Sequence, residues 1–184
     1  MEDLPWNGRV DNFRKISSMQ LLLLRHAEAE PHADTDATRS LTAKGSKQAE
    51  SVGQYCLKHG LVPEMILSSP LTRAEETAQL VARALNNPKL VQIEDFLRAG
   101  MTTERALSGL RRSFIELMKR EKSPDRTSIM LVGHEPDFSN LTGALIGGRA
   151  ESVHFRKATL VGIRLQELKL GAGTIEFVIP VRCA

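Results

Sequence analysis

Residues 21–24 are four consecutive leucines that run without a polar break into Arg25 and His26. The run does not alternate, so it is not a strand with one wet face, and it is too short to be a helix of its own. It reads as a strand, Gln20–Leu24, covered on both sides. Such a strand requires a largely parallel sheet with helices packed on both faces. The pattern recurs along the chain. "EMILSS" (64–69) and "SIMLVG" (128–133) are further short apolar strands, and "KLVQI" (89–93) is a weaker one. A polar loop runs from His26 to Arg39. A helix is expected from its N-cap Thr42 to Gly60, with Ala49, Val52, Cys56 and Leu57 on one face, although Gly45 and Gly53 lower its propensity. Further helices are expected at about Leu71–Leu85, Thr103–Lys119 and Pro136–Ile146, the second with Leu107, Leu110, Phe114 and Leu117 inward. "SVHFRKATLVGIRLQEL" and "TIEFVIPV" read as a closing strand pair, expected to be antiparallel. The expected architecture is a three-layer α/β/α sandwich around a mostly parallel central sheet. It spans residues 19–184 as one domain behind a polar extension at 1–18, and Met19 is a second candidate start of translation.

Composition narrows the function classes. The chain has 184 residues, 41% hydrophobic and 26% charged, with a net charge of +3. The densest basic stretch, Arg111–Arg126, is interleaved with Glu116, Glu121 and Asp125, and reads as a solvated helix face and loop. Six Phe, one Tyr and one Trp leave little for base stacking, so no nucleic-acid partner is expected. No apolar run approaches a membrane span, and the N-terminal segment lacks the hydrophobic core of a signal peptide. Cys56 and Cys183 are far apart and in no ligand-like spacing, so a reducing, cytoplasmic setting is expected.

The chemistry lies where strands end. In α/β sheets ligands bind beyond the carboxyl ends of the strands. The first strand ends on Arg25-His26, the fourth on His134, and the second leads through "SSPLTR" to Arg73 at the start of a helix. If these strands are parallel, two guanidinium groups, two imidazoles and a helix N-terminus meet at one edge. That set suits a phosphoryl group, because arginine binds its oxygens in bidentate fashion and an imidazole can attack its phosphorus. His32, His59 and His154 fall on a loop, a helix end and a strand surface, and are read as structural. Glu75 and Glu76 are read as helix-surface partners of Arg73.

Four blocks carry a resemblance. "LLLLRHAEAE", "RSLTAKGSKQAE", "SSPLTRAEETA" and "MLVGHEPDFS" occur in that order between Met19 and Leu145. Together they resemble the histidine phosphatase, or phosphoglycerate mutase-like, superfamily, and are most similar to its compact SixA-type phosphohistidine phosphatases. The resemblance implies that His26 is a nucleophile that becomes transiently phosphorylated. It implies that Arg25 and Arg73 bind phosphate oxygens and that His134 donates to the transferring group. It also places Arg39 within reach of the substrate. One departure is evident: the acidic proton donor that many members carry on an inserted segment has no room between Ile93 and Thr103. Glu135, next to His134, is the candidate proton donor, and equally a first-turn glutamate favoured by the helix dipole.

The expected activity is that of a metal-independent phosphatase, with a phosphohistidine enzyme intermediate, acting on phosphohistidine in a partner protein domain. The alternatives are a small-molecule phosphomonoesterase and, less favoured because both histidines and both arginines are present, a non-catalytic phosphate-binding module. A mutase would need a lid for which the chain has little sequence. No cofactor or metal is expected, since no metal-ligand motif or glycine-rich phosphate loop occurs.

Overall fold

The computed structural model describes residues 19–120 and 127–183. The expected extension at 1–18 lies outside them. Among the described residues, six strands, β1 (Met19–Arg25), β2 (Met65–Ser68), β3 (Val91–Ile93), β4 (Thr127–Gly133), β5 (Leu160–Leu165) and β6 (Gly173–Ile179), are interspersed with four helices. The helices are α1 (Ala43–Lys58), α2 (Thr72–Ala84), α3 (Thr103–Arg120) and α4 (Asp137–Ile146). The strands form one sheet in the order β3-β2-β4-β1-β5-β6.

The α/β layering follows the expectation, with a sheet that is mixed rather than mostly parallel. β3, β2, β4 and β1 run parallel, while β5 and β6 add an antiparallel pair beyond β1. The leucine run explains the layering. Successive side chains of a strand face opposite ways. Leu21 and Leu23 join α3, α4, Ile129 and Leu131 in one core, and Leu22 and Leu24 join α1, α2, Met130 and Val132 in the other. All four leucines are fully buried, and each contributes about 1.5–3 kcal/mol by leaving water.

Thr42 caps α1 by accepting from the Gly45 amide at 2.9 Å. The two glycines that lowered the propensity of α1 have packing reasons. A Cβ on Gly45 would collide with the carbonyl of Glu28 in the loop after His26, and one on Gly53 would meet Ala84 and Val81 of α2 at 2.6–3.1 Å. Helix propensity is given up so that α1 can press against both.

Two strand expectations were too long. Residues 88–90 form a single helical turn, leaving β3 only three residues. The strand read over 152–168 shrinks to Leu160–Leu165, and 153–159 is a loop that leaves the ladder. His154 is accordingly an exposed loop residue. Apolar residues there mislead because Val153, Phe155 and Ala158 are buried as a loop packed over the sheet end.

Candidate active site

Parallel pairing brings the expected groups together. β1 and β4 run in register from Met19 opposite Thr127 to Arg25 opposite Gly133, and the His26 amide continues the ladder to the Gly133 carbonyl at 2.9 Å. His26 and His134 therefore leave adjacent strands at the same level, with ring centroids 5.3 Å apart. β2 ends beside them, and the hydroxyl of Ser69, the residue after it, lies 2.8 Å from His134 Nε2. Arg73 follows in the first turn of α2. Thr77, one turn on, ties the helix to the loop after His26: its hydroxyl donates to the Arg73 carbonyl and accepts from the Ala27 amide.

The tautomer of His26 follows from its contacts. Nδ1 lies 2.8 Å from the Ala27 carbonyl, which only accepts, so Nδ1 carries the proton and Nε2 keeps its lone pair. Burial, reinforced by the charge of Lys157, pushes His26 down to about 2. Burial, with Arg73 beside it, pushes His134 down to about 4. Both imidazoles are neutral near pH 7, and the Nε2 lone pair of His26 is not protonated.

The arginines are held by loop partners. Arg25 Nη1 donates to the Phe155 carbonyl at 2.6 Å. Arg73 donates to the Asp36 carbonyl at 2.6 Å and to its carboxylate at 3.0 Å. Arg39 meets the same carboxylate at 3.4 Å. The partner of Arg73 is thus Asp36 and not Glu75 or Glu76; Glu76 accepts from the Leu41 amide at 2.6 Å. Among the described residues, buried polar atoms without a hydrogen-bond partner include Nε of Arg25, Arg39 and Arg73 and Nδ1 of His134. Buried donors left unpaired are costly, and three of these four atoms are guanidinium donors. Among the described residues no three His, Cys, Asp or Glu side chains are grouped to hold a metal ion.

Glu135 accepts three hydrogen bonds. They come from the Ser139 amide at 3.2 Å, the Ser139 hydroxyl at 2.7 Å and the Phe155 amide at 2.8 Å. It thereby clamps the 153–159 loop to α4. That loop carries a group which sequence reading missed. Lys157 Nζ lies 3.3 Å from His26 Nε2. The available signal was the dipeptide Arg156-Lys157 inside an apolar segment, but reading the segment as a strand placed it on a surface.

The comparisons with known proteins agree with this geometry. The family model of the histidine phosphatase superfamily (branch 1) matches residues 21–99. An uncharacterized protein of Picosynechococcus sp. is 30% identical over 159 residues, 85% of this chain and 91% of its own. The phosphohistidine phosphatase SixA homolog of Haemophilus influenzae is 32% identical over 149 residues, 77% of this chain and 85% of its own. Among solved structures, that of the protein histidine phosphatase SixA complexed with tungstate superposes with a TM-score of 0.75 at 23% identity, covering 89% of this chain and 98% of that one.

Proposed function

The chain belongs to the histidine phosphatase superfamily and is a phosphatase; from that premise we propose that it removes phosphate from phosphohistidine carried on a protein, passing the phosphoryl group through His26. The observation that carries the reading is the neutral, buried His26 imidazole, whose Nε2 keeps its lone pair within the field of Lys157 and Arg73. In the first step the Nε2 lone pair forms an N–P bond, and the bond from phosphorus to the leaving nitrogen breaks, its electrons staying on that nitrogen of a substrate ring protonated at its other nitrogen, which departs as neutral imidazole. In the second step water attacks phosphorus, the N–P bond breaks and its electrons return to Nε2, and the product leaves as dihydrogen phosphate carrying both water protons. Arg25 and Arg73 meet the charge spread over the phosphoryl oxygens, Arg39 reaches the substrate's outer edge, and His134 donates to the transferring group.

The leaving group selects the substrate. An alkoxide leaves poorly without a placed acid, whereas an imidazole has a reference pKa near 6.5 and depends less on one. Glu135, the carboxyl considered as a proton donor, is already bonded to Ser139 and Phe155, which favours the less demanding leaving group. The similarity to the Haemophilus influenzae SixA homolog supports the same choice.

The test is to react the protein with a phosphodonor, quench at alkaline pH and map the label. Label is expected on His26, and label on a Ser, Asp or Cys would overturn the mechanism. A phosphohistidine-bearing protein domain should then show higher kcat/KM than small alkyl phosphates. A tenfold or greater preference for alkyl phosphates would instead establish a small-molecule phosphomonoesterase.

A further inference from the structure

We propose that Lys157 is a third phosphoryl-binding cation of the site, delivered onto the free nitrogen of His26 by the 153–159 loop. The proposal rests on His26 being the nucleophile. An ammonium 3.3 Å from Nε2 stands where a phosphoryl group joined to Nε2 places its oxygens. On substrate binding it exchanges a weak contact with a nitrogen lone pair for a charge-assisted bond to a phosphoryl oxygen.

The placement is built rather than accidental. The loop is pinned from both sides: the Phe155 amide donates to Glu135, and the Phe155 carbonyl accepts from Arg25. The Ala158 amide donates to the His26 carbonyl at 3.3 Å, so the turn is fixed directly to the nucleophile's backbone. The turn itself closes with the Thr159 amide donating to the Arg156 carbonyl at 3.0 Å. Ala158 sits in it at φ 53, in the left-handed region. A non-glycine residue held there costs of order 1 kcal/mol and persists only where the surroundings enforce it. Lys157 is the residue that this turn presents.

Lys157 also differs in kind from its neighbours. The charged and titratable groups that act on it or face it are Arg25, Arg39, Arg73, His26, His134, Glu28 and Asp36. Burial, and then the charges of Arg25, Arg39 and Arg73, pull Lys157 down to about 8, against a smaller opposing effect of Asp36. The arginines keep their charge at any working pH, so Lys157 is the cation that alkali can remove. Free protein then loses one positive charge as pH rises through about 8. A bound dianion holds the proton on and moves that loss to higher pH. Oxyanion affinity and kcat/KM should fall above about pH 8, whereas kcat should fall only at higher pH.

The experiment uses tungstate, a tetrahedral oxyanion that stays a dianion between pH 7 and 10, with calorimetry on wild type, Lys157→Met and Lys157→Arg. Wild-type affinity should fall about 10- to 100-fold across that range, the value of one charged hydrogen bond. Lys157→Met should start weaker by the same factor at pH 7 and show no further fall. Lys157→Arg should keep its affinity at pH 10. Equal affinity of wild type and Lys157→Met at pH 7 overturns the proposal, and so does an unchanged alkaline fall in Lys157→Met or a loss of equal size at every pH. A wild-type affinity flat from pH 7 to 10 does so without any variant. Phosphoryl labelling separates the two readings. If wild type carries label on His26 but tungstate binding ignores Lys157, this proposal fails alone. If wild type carries label elsewhere, the nucleophile reading has failed.

Discussion

The site has two halves built by different means. One is the carboxyl edge of the parallel strands β1, β2 and β4, where Arg25-His26, Ser69 and His134 are set by ladder register and Arg73 follows in the next helix turn. The other is the 153–159 loop, with Lys157 placed by the Glu135 clamp, the Arg25 bond and the left-handed Ala158. In the first half, backbone hydrogen bonds repeated along each strand fix where a side chain emerges. In the second, a few side-chain contacts do it. Substitutions in the first half should therefore remove chemistry and leave the framework, while those in the second should retune it.

The largest expected effect is at the parallel edge. Arg73→Ala removes a guanidinium preorganised by its two bonds to Asp36. Removal of one such donor costs about 10²- to 10³-fold in kcat. Arg73→Lys should recover only part of the loss, since an ammonium cannot reproduce the planar fork. A loss below about tenfold for Arg73→Ala would mean that the edge is not the dominant half.

That contrast also explains what could be read from the sequence. Leu21–Leu24 had to be buried on both faces, which forced the layers, and strands of one direction then forced Arg25, His26, Arg73 and His134 to one edge. Asp36 was hidden in a polar loop whose course depends on Arg73. Lys157 was hidden because Phe155, Ala158 and the residues after them have strand-like character, and nothing local says that the ladder begins only at Leu160. The role of Glu135 as a clamp needed the position of Phe155, twenty residues later. Register propagates along a strand and is legible; a loop held by distant side chains is not.

A second prediction concerns what the edge costs in stability. His26 and His134 are buried and neutral, with values pushed down to about 2 and about 4 by burial first. Unfolding releases both toward an ordinary value near 6.5. Below that pH the unfolded chain takes up protons that the folded chain refuses, so stability is full above about 6.5 and declines as pH falls. Each histidine contributes up to about 1.4 kcal/mol per pH unit in that window. Urea midpoints between pH 6.5 and 5 should show the slope, and His134→Gln should remove about half of it. A slope that His134→Gln leaves intact would show that the imidazole is not kept neutral by its surroundings.

The smallest effect is expected in the turn, at Ala158→Gly. Three contributions nearly cancel. Glycine relieves the left-handed strain, worth of order 1 kcal/mol. It gives up one fully buried methyl group, worth about 0.8 kcal/mol, and it loosens the unfolded chain by about 0.5–1 kcal/mol. The net change in unfolding free energy should stay within about 1 kcal/mol. Activity then reports how the turn is held. If the Glu135 clamp, the Arg25 bond and the Ala158 amide fix it from outside, Ala158→Gly should retain wild-type kcat/KM and the same alkaline fall. If the backbone of Ala158 itself aims Lys157, kcat/KM should drop towards the Lys157→Met level while the fold persists. The first outcome keeps the division between a ladder-built edge and a clamp-built loop. The second would replace the clamp with a single strained residue as the device that sets the lysine.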